Sequence, residues 1–92
     1  MSWRVDRKPA FKADLGDQFD WYLREANERA AWDFVDATDR TLIALGRQPF
    51  LGRPRRFRHP SLAGLRSFRV EPPFNRLLIF YRANESVVDA WR

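Results

Sequence analysis

At 92 residues, 45% of them apolar, the chain is long enough for one modest core and too apolar to be a disordered protein. It has no cysteine, which excludes disulfides and thiolate metal sites and suits a reducing cytoplasm. The formal net charge is +5, and neither an apolar leader at Met1-Ser2-Trp3-Arg4-Val5-Asp6 nor an apolar run long enough to span a bilayer is present, so a cytoplasmic domain over residues 1–92 is expected.

Trp3-Arg4-Val5-Asp6 alternates apolar and charged residues and predicts a short first strand. Pro9 suits a first helical position, although Lys8 before it offers no side-chain acceptor for the free N–H groups of a helix start. Phe11, Leu15, Phe19, Tyr22 and Ala26 then recur at spacings of four and three, the stripe of an amphipathic helix. Gly16 interrupts it and suggests a close approach. Asp14, Asp17 and Asp20 lie largely off the stripe, and without a second acidic cluster they read as a solvated face rather than a metal site.

Asn27 is placed to break the first helix and cap a second. Ala31, Phe34, Val35, Thr38, Leu42 and Leu45 form the second stripe, with Gly46 as its C′ residue and Pro49 blocking continuation. The two helices predict an αα-hairpin whose apolar seam lies on one face of a sheet. Trp21 and Trp32 sit off both stripes, either covering the neighbouring helix or contributing to a docking surface.

Charge changes sign along the chain. Residues 1–46 hold 7 Lys/Arg against 9 Asp/Glu, whereas residues 47–92 hold 10 arginines against 3 acids. Guanidinium groups pair bidentately with carboxylates and phosphates, so the second half favours an acidic protein or nucleic acid. In the connection from Pro49 to Pro60, three prolines and a glycine predict an exposed loop. There Arg53, Arg55, Arg56 and Arg58 alternate with Phe57 and His59, a pattern that suits phosphates beside a stacked base or the carboxylates of a partner. His59, the one histidine, is an acid/base candidate by its chemistry, but no carboxylate stands near it in sequence and no second histidine or cysteine exists to share a metal.

Three short runs follow: Gly64 to Val70, Arg76 to Arg82 and Ser86 to Arg92, separated by Pro72-Pro73-Phe74-Asn75 and by Ala83-Asn84-Glu85-Ser86, where Asn84 tolerates a left-handed backbone. They predict an antiparallel meander. In the middle run Leu77, Ile79 and Tyr81 share one face while Arg76, Leu78, Phe80 and Arg82 share the other. The helices account for one face. The second is expected to be left bare and fringed with arginine. Phosphate-binding glycine motifs and a nucleophile elbow are absent.

The order of these elements, with Pro9-Ala10 and Asp14-Leu15, Ala30-Ala31 and Phe34-Val35-Asp36-Ala37, Pro49, Gly52 and Arg53, Gly64-Leu65-Arg66-Ser67-Phe68-Arg69-Val70 and Ile79-Phe80-Tyr81-Arg82, resembles the ParE/RelE superfamily of bacterial toxins, ParE more than RelE. The resemblance spans nearly the whole chain. It implies an α+β fold of βααβββ order, with an antiparallel sheet packed on a helical hairpin, and no cofactor or metal. It also implies a toxin of a type II toxin–antitoxin system, associated with plasmid stabilisation, silenced in a hetero-oligomer by a ParD-like antitoxin and acting by binding DNA gyrase.

In that reading the antitoxin or target meets Trp21, Trp32, Arg66, Arg69, Arg76, Leu78, Phe80, Arg82 and Trp91. The alternative is a RelE-type, metal-independent endoribonuclease that cuts messenger RNA on the ribosome, with Arg66, Arg69 and Arg82 stabilising charge and Tyr81 donating a proton. A third reading is a non-toxic module that holds an antitoxin. The family's C-terminal His-Gly-x-Arg-like tail has no counterpart after Asp89-Ala90-Trp91-Arg92, and Lys8-Pro9 replaces the family's usual Ser-Pro.

Overall fold

In the computed structural model, which describes residues 2–92, strand β1 (Arg4–Arg7) leads into helix α1 (Pro9–Glu25), and α2 (Glu28–Arg47) folds back on it. Strand β2 (Arg53–Pro54), a 3-10 turn (Pro60–Leu62), β3 (Arg66–Arg69), β4 (Leu78–Asn84) and β5 (Val87–Ala90) follow. The strands form one sheet in the order β1-β5-β4-β3-β2. From β2 to β5 the pairing is antiparallel, as the meander predicts, but β1 lies parallel to β5, so this α+β fold carries a mixed sheet. The helical hairpin and the meander together supply the long crossover that a parallel pair requires. The short β2 lies inside the expected loop, and its Pro54 is tolerated because β2 is the outer strand.

Helix α2 lies against β1 and β5, while α1 packs chiefly on α2. The α2 stripe is accordingly buried, from Ala31 through Phe34, Thr38 and Leu42 to Leu45, with only Val35 partly exposed. On α1 only Phe11 is buried; Leu15, Phe19 and Tyr22 are half-buried and Ala26 is exposed. Thr38 and Thr41 satisfy their hydroxyls by donating to the carbonyls of Phe34 at 2.9 Å and Ala37 at 2.7 Å. Capping differs between the helices as the sequence predicts. The Asn27 side chain accepts from the Ala30 N–H at 2.8 Å, and Lys8 makes no side-chain cap.

Both helical glycines depart from expectation. Gly46 does not end α2, which runs on to Arg47; it marks where β1 crosses the helix. Trp3 N–H donates to its carbonyl at 2.7 Å, and a Cβ there would lie 3.0 Å from the Trp3 carbonyl oxygen. Gly16, by contrast, approaches nothing within 4 Å. Gly16→Ala therefore adds helix propensity without a clash, and we expect a gain of about 0.5–1 kcal/mol, read as a rise in Tm of roughly 2–8 °C.

At the β4–β5 turn, Asn84 is still in the strand, opposite Val87, and the left-handed residues are Glu85 and Ser86, with φ of 50° and 67°. Two positive φ angles are what a two-residue hairpin matching the strand twist requires. The Pro72-Pro73-Phe74-Asn75 segment, with a cis bond between its prolines, is more than a turn. Its Phe74 enters the core, with ring centroids 5.3 Å from Tyr22 and 5.6 Å from Phe34. That core also holds Phe11, Leu45, Val70, Ile79, Tyr81 and Val88, between α2 and the sheet. Among the described residues no helix is long and apolar enough to cross a membrane.

Candidate functional site

Strand β4 alternates as its sequence predicts. Ile79 and Tyr81 are buried toward the helices, and Leu78, Phe80 and Arg82 occupy the opposite face. Cross-strand register extends that face sideways. Arg53, Ser67 and Phe80 make one row across β2, β3 and β4, Arg69 stands beside Leu78, and Asp89 beside Arg82.

One end of this face is covered by the chain's own loop, contrary to the bare surface expected. Phe57 leans on Phe80, with centroids 6.5 Å apart. The Arg82 guanidinium donates to the carbonyls of Ala63, at 3.0 Å, and Ser61, and stands 5.8 Å from the Trp91 ring, leaving Phe80, Arg82 and Trp91 half-buried. The remainder is open, with Leu78 39% exposed beside Arg53 and Arg69.

Arg66 does not belong to this face. Its register partner is Tyr81, so it points to the helix side, where Nη1 donates to the Gly52 carbonyl at 2.8 Å and the guanidinium stacks 5.0 Å from the Phe50 ring. Tyr81 is wholly buried. Its hydroxyl donates to the Pro49 carbonyl at 2.8 Å and accepts from the Gly52 N–H at 2.7 Å. The four residues of the ribonuclease reading thus divide between two faces of the sheet, Arg66 and Tyr81 behind, Arg69 and Arg82 in front. A phenol with both its hydrogen bonds committed inside the fold has no route to a substrate.

Burial raises the Tyr81 phenol above its ordinary 10.0, against smaller opposing effects of the Gly52 N–H and the Arg66 charge. The folded value exceeds the unfolded one, so the stability linked to this proton is complete below pH 10 and is lost as pH rises through the folded value. Denaturant midpoints are expected to fall above about pH 10, and Tyr81→Phe should flatten that fall while costing about 1–3 kcal/mol at neutral pH for the two backbone groups it orphans.

Electrostatically the front face is dominated by arginine; Asp89, beside Arg82, is paired with Lys8 at 3.4 Å. The eight arginines from Arg53 to Arg82 include none within 4.0 Å of a carboxylate among the described residues. Some are held by neutral acceptors: Arg55 Nε donates to Ser67 Oγ at 2.6 Å, and Arg69 to the Asn75 carbonyl at 3.1 Å. Arg53, Arg56, Arg58 and Arg76 stand exposed. The ion pairs among the described residues use other cations, as in Arg7–Asp39 at 2.6 Å, Arg40–Glu71 at 2.7 Å and Arg92–Asp14 at 3.0 Å.

The other candidates resolve locally. His59 caps the 3-10 turn, its Nδ1 accepting from the Ser61 N–H at 3.2 Å. No cluster of three metal-binding side chains exists among the described residues. Trp21 and Trp32 belong to the helical layer, away from the front face. Trp32 packs its edge on Phe19 at 5.0 Å and Trp21 on Tyr22 at 5.2 Å, although both remain about half exposed. The residue that sequence reasoning undervalued is Gly52. A lone glycine in an arginine-rich loop was the available signal, and only the fold shows that it is buried and that Tyr81 occupies its side-chain space.

The family model for the ParE toxin of the type II toxin–antitoxin system parDE matches residues 5–92. A solved structure described as a chromosomal ParDE TA system from P. aeruginosa superposes with a TM-score of 0.76 at 18% identity, over 99% of this chain and 92% of that one. At that identity the likeness shows the fold. No curated relative matches the chain.

Proposed function

This chain belongs to the ParE toxin family, and on that premise we propose that it is the toxin of a type II toxin–antitoxin pair, held silent by a ParD-like antitoxin and acting in the cytoplasm by binding DNA gyrase. The observation that carries the reading is the front face of the sheet. There an exposed Leu78 is set beside guanidinium groups that pair with no carboxylate among the described residues. Such a surface suits a partner segment with apolar anchors and flanking acids, laid in as a helix or an added strand. Arg53, Arg69 and Arg76 then meet carboxylates, Leu78 is the buried anchor, and Phe57, Phe80 and Trp91 form the half-covered margin.

The experiment is a supercoiling assay. Purified protein is expected to inhibit gyrase at micromolar concentration, and the cognate antitoxin to relieve it. Untouched supercoiling would remove the gyrase target. If growth is then also unaffected when the chain is induced alone, it is a non-toxic module that holds an antitoxin. The ribonuclease reading is the weaker one, because the Tyr81 hydroxyl it needs as proton donor is bonded to Pro49 and Gly52 inside the fold.

A further inference from the structure

We propose that the front face also binds single-stranded nucleic acid, with Arg53, Arg55 and Arg69 on phosphates and the Phe57 ring beneath a base. Two hollows, of about 590 and 460 Å³, adjoin there and share Arg53, Arg55 and Leu78 in their walls. Together they form a trough from Arg69 at one end to Phe57 at the other. Glu71, the one carboxylate among the described residues that line it, is held by Arg40 at 2.7 Å, so no lining acid is left unpaired. Arg55 is oriented by its 2.6 Å bond to Ser67 Oγ, and its terminal nitrogens remain for a ligand.

Guanidinium groups alone fit a carboxylate as well as a phosphate. The aromatic end adds what a nucleic acid uses and a carboxylate does not. Phe57 is 43% exposed and braced by Phe80, which presents a ring to whatever occupies the trough. A base stacks on such a ring, an acidic side chain gains nothing from it, and a duplex has its bases already stacked on one another. Contacts made through phosphates and one ring face carry little sequence preference.

The test uses purified protein with neither antitoxin nor gyrase, so it bears on this proposal alone. Fluorescence anisotropy with a short labelled oligothymidylate should give a Kd of about 1–100 µM at physiological salt, and log affinity should fall against log salt with a slope of roughly −2 for three phosphates. Replacing both Arg53 and Arg69 with glutamine should flatten that slope by about 1.4. Phe57→Ala should weaken binding roughly 5- to 100-fold and leave the slope unchanged, a result that separates stacking from charge. Both variants alter side chains outside the core. No binding by about 100 µM would overturn the proposal. So would a Phe57→Ala affinity equal to that of the parent, or duplex DNA binding as tightly as the single strand. Polyglutamate, which has charge but no ring or apolar anchor, competing as well as the oligonucleotide at equal charge would show that charge alone is read, and would overturn the proposal too.

Discussion

Gly52→Ala is expected to destabilise the protein by about 3 kcal/mol or more, lowering Tm by roughly 10–20 °C. The position is buried, and a Cβ there would meet the Tyr81 hydroxyl and lie 2.5 Å from Cε1 and 2.8 Å from Cζ of the same ring. Tyr81 cannot retreat, because it is wholly buried in the central strand with the Arg66 side chain beside it. The loop must move instead, which breaks the Gly52–Tyr81 and Tyr81–Pro49 hydrogen bonds and the Arg66 contact to the Gly52 carbonyl. Total stability for a chain of this length is of order 5–14 kcal/mol, so the loss is a large share of it. Adding Tyr81→Phe removes the hydroxyl but not the two ring carbons, and it should not rescue the variant. A Gly52→Ala protein that melts with the parent would show that residues 49–53 do not lie against Tyr81.

Leu78→Glu is expected to weaken antitoxin binding by about 30- to 1,000-fold while changing stability by no more than about 0.5 kcal/mol. Leu78 is 39% exposed on the front face, so the folded monomer loses little by the substitution. A partner seated on that face must bury it, and the new carboxylate would stand desolvated where the partner offers acids to the surrounding arginines. Titration calorimetry with the purified antitoxin, paired with a thermal melt, reads the two effects separately. Parent-like affinity would move the interface away from the front face, and the half-exposed Trp32 and Trp21 of the helical layer would be the next surface to substitute. A matching loss in the melt would instead mean that Leu78 supports the fold.

The helices and β4 were legible because each advertises a period. The α2 stripe of Ala31, Phe34, Thr38, Leu42 and Leu45 lies where a 3.6-residue repeat puts it, and the alternation along Leu77 to Arg82 assigned both faces of the central strand correctly. Local chemistry was equally readable in the Asn27 cap. Features that depend on which strand lies beside which were not. Arg66 and Arg69, three residues apart on one strand, take opposite faces by alternation alone, but pairing to Tyr81 and Leu78 is what puts Arg66 on the helix side. The close approach expected at Gly16 is found at Gly46 instead, since a glycine's neighbours across space leave no mark on its own sequence.

By itself, then, the sequence determined the α+β class, the helical hairpin, the two-sided central strand and the excess of arginine in the second half, because periodicity and charge are properties of the chain read along its length. Tertiary structure decided which arginines face outward, that Tyr81 is a buried anchor for the Pro49–Gly52 turn, and that residues 53–63 shelter one end of the front face. The β3–β4 register and the loop placement follow from contacts between residues 9 to 32 positions apart, and no local pattern encodes which of those contacts wins.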